Sequence, residues 1–174
     1  MSRYLHIGCG DNILPDPFEN LDDRELAGLD HKSLADDLSK FKNNTFDLVY
    51  SSHVLEHFQR DKTEEVLSEW ARVTKKDGTI RLSVPSFENL IKIYNKSGKI
   101  ENVIGPLMGG QTYGYNFHYN LFDEKSLKSL MEKCGLTAIH PWLHTRTEHS
   151  DYFDFSQAVT FGIPISLNLE GRKK

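Results

Sequence analysis

Tyr4-Leu5-His6-Ile7-Gly8-Cys9-Gly10 reads as a short β-strand running straight into a Gly-x-Gly turn. Glycines at such a turn let the backbone approach a ligand at the carboxyl end of a parallel sheet, where open α/β sheets bind small molecules. Alone, the pattern is common. A dinucleotide site needs Gly-x-Gly-x-x-Gly opening a helix. Here Ile13 stands where the third glycine belongs, and Pro15 and Pro17 forbid much helix. Too few residues follow Gly10 for a full crossover helix before the next strand. The turn argues for an α/β fold and against nicotinamide binding.

Working outward, Phe18-Glu19-Asn20-Leu21 is the second strand, ended by Asp22-Asp23. A weak third lies at Ser33-Leu34-Ala35, before Asp36-Asp37, and Phe46-Asp47-Leu48-Val49-Tyr50 is the fourth. A helix is predicted over 62–74, with Asp61 as N-cap, Glu64 completing a capping box, and Val66, Leu67, Trp70 and Val73 as its apolar stripe. Gly78 is read as its C-terminal stop. A strand over 79–84 stops at Pro85, and a helix follows over 87–95. A Gly- and aromatic-rich loop spans 105–121. Asp123 then caps a helix carrying Leu127, Leu130 and Met131, closed by Gly135. A strand over 137–140 follows, and Ile163, Ile165, Leu167 and Leu169 alternate as one last half-buried strand. Strands and helices alternate without linker or repeat, which predicts one α/β domain over 1–174.

Composition excludes several function classes. Hydrophobic residues at 38% and charged residues at 26% suit a soluble globular chain, and the net charge is −4. The only basic run is Arg172-Lys173-Lys174, so no nucleic-acid partner is expected. No apolar run reaches the ~20 residues that span a bilayer. The N-terminus enters a strand pattern at once, so no signal peptide is expected. Cys9 and Cys134 have no metal-type pairing and read as reduced thiols of a cytoplasmic protein. Nothing in the sequence sets an oligomeric state.

Three features carry chemistry. Gly8, Cys9 and Gly10 form the first. Acidic residues ending the next strands form the second. Asp22 at the tip of strand two suits a carboxylate that accepts ribose hydroxyls, and Asp36-Asp37-Leu38 lie where an adenine binds in such folds. Aspartate also starts many turns for purely local reasons. The third is Tyr50-Ser51-Ser52-His53-Val54-Leu55-Glu56-His57-Phe58. Its His53-x-x-Glu56-His57 matches the letters of an inverted zinc-peptidase motif, with two histidines four apart. Such a motif belongs inside a long helix, whereas this one follows a strand directly. No metal is expected, and Glu56 and His57 read as fixing the strand-to-helix turn.

Taken in order, these segments resemble the class I S-adenosylmethionine-dependent methyltransferases. The residues are Leu5 to Gly10, Asn20-Leu21-Asp22, Asp37-Leu38, Phe46 to His57, Trp70-Ala71-Arg72-Val73, Lys76-Asp77-Gly78-Thr79-Ile80-Arg81-Leu82-Ser83-Val84-Pro85, Phe122 to Leu127 and Cys134-Gly135-Leu136. The resemblance covers nearly the whole chain. Tyr115-Asn116-Phe117-His118 and Ser166-Leu167-Asn168-Leu169-Glu170 are similar to features of a compact subgroup with unassigned substrates. It implies a Rossmann-like α/β sandwich: a mostly parallel sheet with one antiparallel strand near the edge. The chain departs from the wider family in its reduced first crossover helix. It implies S-adenosylmethionine as cofactor, with Gly8, Cys9 and Gly10 giving it room. Asp22 would hold the ribose, Asp37 and Leu38 the adenine region, and Ser51, Ser52 and His53 the surroundings of the sulfonium. Backbone amides near Asp11 would replace the missing helix in holding the methionine carboxylate. The acceptor is expected to be a small molecule or sugar. A non-catalytic cofactor- or partner-binding module on the same fold is the alternative, and a zinc hydrolase ranks third. His118, in the long loop, is either a base facing the acceptor, with His53 beside it, or a packing residue. Tyr113, Tyr115 and Tyr119 either line the pocket or anchor the loop.

Overall fold

The computed structural model describes residues 2–174. In chain order the strands are β1 (Tyr4–Ile7), β2 (Phe18–Asp22), β3 (His31–Lys32), β4 (Phe46–Ser52), β5 (Thr74–Pro85), β6 (Leu136–Pro141), β7 (Val159–Thr160), β8 (Ile163–Pro164) and β9 (Ser166–Lys173). The helices are α1 (Thr63–Val73), α2 (Phe87–Ser97), α3 (Ile104–Met108) and α4 (Glu124–Lys133). Seven strands form one sheet in the order β3-β2-β1-β4-β5-β9-β6. The sheet is parallel except for β9, which runs against β5 and β6 and lies second from the edge. This is the mostly parallel sandwich that the sequence implies.

Side chains alternate across each strand, so the sheet has two different faces. On one, Leu5, Ile7, Leu21, Val49, Ile80, Leu82 and Val84 pack against Val66, Leu67 and Trp70 of α1 and Leu127 and Met131 of α4. On the other, Phe18, Leu48 and Tyr50 meet Trp142, and His149 lies 4.2 Å from the Tyr50 ring. That face is covered by residues 142–158, which contain only short 3-10 turns.

The connections from β1 to β2, β2 to β3 and β3 to β4 contain no helix. The reduction therefore extends from the first crossover to the first three, and it leaves the carboxyl ends of β1, β2 and β4 beside an open groove.

Several local expectations change. The third strand is His31–Lys32, just before Ser33-Leu34-Ala35, because its backbone pairs with Leu21 and Asp22 at the end of β2. Lys62, not Asp61, is the N-cap of α1, and no side chain caps it. Gly78 lies inside β5, in a bulge where the pairing with β4 shifts register, so it does not stop α1. The apolar alternation from Ile163 to Leu169 is divided between β8 and β9. Asp123 does cap α4, in a reciprocal capping box with Ser126. No helix among the described residues is long and apolar enough to cross a membrane.

Candidate active site

A cleft of about 1440 Å³ opens at the carboxyl ends of β1, β2 and β4. Such a volume exceeds that of typical single-ligand pockets and has room for two molecules. Gly8, Cys9, Gly10, Asp22, Ser52, His53 and His118 all line it. Ser51, Asp37 and Leu38 do not. Ser51 points inward, its hydroxyl 3.3 Å from the Ile7 carbonyl, because neighbouring strand residues face opposite ways. Leu38 is fully buried in the helix-side core. Asp37 faces solvent, accepting from the Ser39 amide at 3.1 Å. Leu34, Ala35 and Asp36 form this wall instead. Their turn is pinned from behind, since the Trp70 indole donates to the Ala35 carbonyl at 2.7 Å and Arg72 donates to the Leu38 carbonyl at 3.0 Å.

Gly8 is required by geometry. Its φ is +66°, and an added Cβ would lie 2.3 Å from Val54 Cγ2. At the end of β2, Asp22 Oδ2 accepts from the Gly10 amide at 2.8 Å. Its Oδ1 accepts from the Arg24 amide at 3.1 Å and from Arg24 Nε at 3.0 Å. Burial raises the Asp22 pKa, but the Arg24 and Gly10 hydrogen bonds outweigh it and hold the group below the usual carboxylate range. Asp22 is therefore an anion at neutral pH. Burial pushes the Cys9 thiol up to about 12, so it is a neutral wall and no nucleophile.

Two buried polar atoms in the lining residues have no partner: Asn12 Nδ2, after the glycine turn, and Ser52 Oγ, at the end of β4. Buried polar groups are normally paired, so orphans at a cleft wall mark where a polar ligand belongs. Sequence reasoning missed Asn12, whose only signal is its place two residues after Gly10. These donors, the Gly8–Gly10 turn and the Asp22 anion fit an adenosyl amino acid.

His53 has φ +57°, uncommon for a side chain with a Cβ. Its amide donates to the Ser83 carbonyl at 2.9 Å, and its Nε2 lies 2.7 Å from Ser166 Oγ. His53 and His57 therefore do not share a helix face, and the inverted zinc-peptidase arrangement is absent. Between them Glu56 is fully buried, and neither carboxylate oxygen has a hydrogen-bond partner. Its Oε1 is 3.4 Å from His53 Nδ1 and 3.9 Å from His118 Nε2. Burial raises the Glu56 pKa to about 8 and lowers those of His53 to about 3 and His118 to about 4.

The loop bearing His118 is tied down. The Tyr119 and Asn120 amides donate to the Glu56 carbonyl at 2.9 and 3.2 Å. Among its tyrosines, Tyr113, Tyr115 and Tyr119 line the cleft, as do Phe153 and Phe155 from the opposite side.

The cleft lies at the switch point of the sheet, outside the carboxyl ends of its strands, where open α/β sheets bind their ligands. Residues 5–82 match the family model of a methyltransferase domain. Three solved structures share the fold over the chain's length. A SAM-dependent methyltransferase from Archaeoglobus fulgidus is 17% identical with TM-score 0.63, over 99% of this chain and 86% of that one. A methyltransferase from Thermotoga maritima, described as a possible histamine N-methyltransferase, is 20% identical with TM-score 0.65, over 100% and 83%. The 1,6-didemethyltoxoflavin-N1-methyltransferase of Burkholderia thailandensis, solved with 1,6-didemethyltoxoflavin and S-adenosylhomocysteine, is 13% identical with TM-score 0.63, over 99% and 71%. No curated protein sequence matches the chain. The family match covers the N-terminal part of the chain, over residues 5–82, and the fold shared with these methyltransferases covers nearly all of it.

Proposed function

We propose that the chain methylates a small-molecule or sugar acceptor in the tyrosine-lined half of the cleft, with S-adenosylmethionine in the half formed by Gly8–Gly10, Asp22 and Ser52. The pair of orphaned atoms, Asn12 Nδ2 and Ser52 Oγ, carries this reading, because they supply polar contacts that no protein group uses. The open acceptor half supports an enzyme over a module that only holds cofactor. The 1,6-didemethyltoxoflavin bound by the structurally similar Burkholderia enzyme supports a small-molecule acceptor.

S-adenosylmethionine, when bound, supplies an electrophilic methyl group. The protein's part is to align the acceptor and exclude water, which is worth ~7–11 kcal/mol of barrier in well-oriented systems. Asp22 takes the ribose hydroxyls, exchanging its Arg24 contact for them. The Leu34–Asp36 turn, in place of Asp37 and Leu38, flanks the adenine. Asn12 takes the role expected of backbone amides near Asp11 and holds the methionine carboxylate. Ser52 and His53 border the sulfonium, and Ser51 only supports them. His118 faces the acceptor. Its Nδ1 must donate to the Pro106 carbonyl, 2.8 Å away, which leaves Nε2 as a lone pair.

Calorimetry checks the cofactor. S-adenosylhomocysteine is expected to bind and NADH to give no heat, and a folded protein that ignores S-adenosylhomocysteine would overturn the reading. Once an acceptor is known, His118→Ala is expected to lower turnover ~10²–10⁴-fold with cofactor affinity unchanged. Equal losses in both would move His118 to a structural role.

A further inference from the structure

Glu56, His57 and His118 each bring a donor atom to one place, all within 4.8 Å of one another. Two independent features make this more than proximity. Both carboxylate oxygens of Glu56 are buried with no hydrogen-bond partner, a state that proteins normally avoid. Both histidines are also oriented from behind. His118 Nδ1 lies 2.8 Å from the Pro106 carbonyl, and His57 Nδ1 lies 3.1 Å from the Phe117 carbonyl. A carbonyl can only accept, so each Nδ1 carries the hydrogen and each Nε2 keeps its lone pair. Metal-ligating histidines are held in this way, the second ring nitrogen donating to a carbonyl or carboxylate. The rings stand edge to face with centroids 4.6 Å apart.

We propose that Glu56, His57 and His118 form a binding site for a divalent transition-metal ion at the inner end of the acceptor half, and that the ion takes a hydroxyl oxygen of the acceptor. This rests on the reading of that half as the acceptor pocket, and with the ion bound His118 Nε2 acts as a ligand and no longer as a base. Two imidazoles and one carboxylate suit Zn²⁺, Fe²⁺, Co²⁺ or Mn²⁺ better than Mg²⁺ or Ca²⁺, and they leave coordination positions open. His57 and His118 line the cleft, so those positions are reachable from it. A cation there lowers the pKa of a bound hydroxyl, whose proton passes to solvent while the oxygen stays on the metal. The acceptor class then narrows to hydroxyl-bearing molecules, sugars included. The other histidine group, His144, His149 and Asp154, lacks this character: His144 is within 2.9 Å of Ser156 Oγ and 3.1 Å of Gln157 Nε2, and Asp154 is engaged by the Tyr50 hydroxyl.

The test is titration of the full chain, prepared without a polyhistidine tag, with Co²⁺ alone and Zn²⁺ alone, by calorimetry and by the visible absorption of Co²⁺. One saturable site per chain is expected, with Co²⁺ bands of mixed nitrogen and oxygen ligation. His118→Ala and Glu56→Gln are each expected to weaken binding more than ~100-fold, since removing a ligand outweighs the 10–100-fold effect of its outer partners. His149→Phe is expected to leave it intact. If Glu56→Gln does not fold, His118→Ala, on a surface loop, decides alone. No saturable binding by the wild type, or binding that survives His118→Ala, overturns the site. S-adenosylhomocysteine titrated into the same samples separates the two readings: cofactor binding without metal binding removes only the cation, and the reverse removes only the cofactor.

Discussion

The two faces of this sheet come from the same strands and follow different rules. On the helix side, Leu5, Ile7, Val49, Ile80 and Leu82 meet Trp70, Leu67 and Met131 in an apolar core. On the loop side, the alternate positions carry Tyr4, His6, Asn20 and Tyr50, and residues 142–158 cover them with Trp142, His144, His149 and Ser156, all four buried. Helices normally cover both faces of a parallel sheet. Where helices are missing, the cover has no periodic apolar stripe, and most of its polar groups are paired one by one. His6 Nδ1 pairs with Asn20 at 3.3 Å, Asn20 Nδ2 reaches the Leu14 carbonyl at 2.8 Å, and the Trp142 indole reaches the Leu82 carbonyl at 2.9 Å. That cover also supplies Asp154 and Phe155 to the cleft wall. The helix side thus supplies bulk stability, and the loop side carries polar structure continuous with the site.

The largest expected effect breaks the helix side. Trp70→Ala removes a fully buried indole from α1 and its hydrogen bond to the Ala35 carbonyl. A loss of ~3–5 kcal/mol is expected in urea unfolding, the usual range for deleting a buried aromatic. It also releases the turn proposed to flank the adenine, so cofactor affinity is expected to fall in the protein that remains folded. A loss under ~1 kcal/mol would contradict the assignment of bulk stability to this face.

Acid tests the loop side. Burial lowers the pKa of His6 and His149 from 6.5 to about 4. Asn20, Asp22 and Asp154 raise the His6 value, and Asp154 raises that of His149 while His144, Arg81 and His6 lower it, all without overcoming burial. The folded state therefore keeps both rings neutral where the unfolded chain protonates them. Their contribution is complete above pH 6.5 and is lost as the pH falls toward 4. Each is worth on the order of 2–3 kcal/mol at the acid end. Glu56, raised to about 8, contributes with the opposite sign, since the folded state favours its protonated form. Because Glu56 offsets much of that loss, the rings are read by difference: urea midpoints at pH 7.5, 6 and 5 are expected to fall further, or rise less, in the wild type than in His149→Phe. An identical pH dependence in the two proteins would mean that His149 is hydrated or already charged.

Asp22 stands at the carboxyl end of the sheet, where both faces meet the cleft. Asp22→Ala is expected to weaken S-adenosylhomocysteine binding by about 1–3 kcal/mol, the cost of losing a charged hydrogen-bond partner. Part of that is release of the Gly10 amide, which Asp22 holds. An unchanged dissociation constant would take the ribose role away from it.

How much was legible in the sequence follows the same division. The α1 stripe of Val66, Leu67 and Trp70 announces its face because 3.6-residue periodicity survives in the letters. The glycine turn, Asp22 and His118 were legible as cleft residues from strand ends and loop composition. His31–Lys32 is too short to show any period, so the third strand was misplaced. Ser51 and Ser52 are identical in type and differ only in pleat parity, and the same one-residue ambiguity separates Asp36 from Asp37. The meeting of His118 with Glu56 and His57 depends on the crossing of a distant loop, marked by the Tyr119 and Asn120 amides on the Glu56 carbonyl. No local pattern encodes that.

The smallest expected effect is the sharpest test of how the two faces differ. His149 is 1% exposed, and neither ring nitrogen has a hydrogen-bond partner. It sits among rings, with Tyr50 at 4.2 Å, Phe18 at 5.7 Å and Trp142 at 6.1 Å between centroids. A buried polar group without partners forfeits its hydration for nothing, so an apolar ring of similar shape restores that loss. His149→Phe is expected to shift stability by less than ~1 kcal/mol at pH 7.5, because the added volume of the larger ring offsets part of the gain. At pH 5 the sign is unambiguous. Wild-type His149 then draws protons to the unfolded state and Phe does not, so the variant is expected to be the more stable protein, with a shallower loss of stability between pH 6.5 and 4. The reverse change on the helix side, Leu67→His, is expected to cost several kcal/mol at any pH, because it places an unpaired polar ring in an apolar core. If His149→Phe is instead strongly destabilising at both pH values, the ring has a partner such as a bound water, and the loop face is a satisfied polar network throughout.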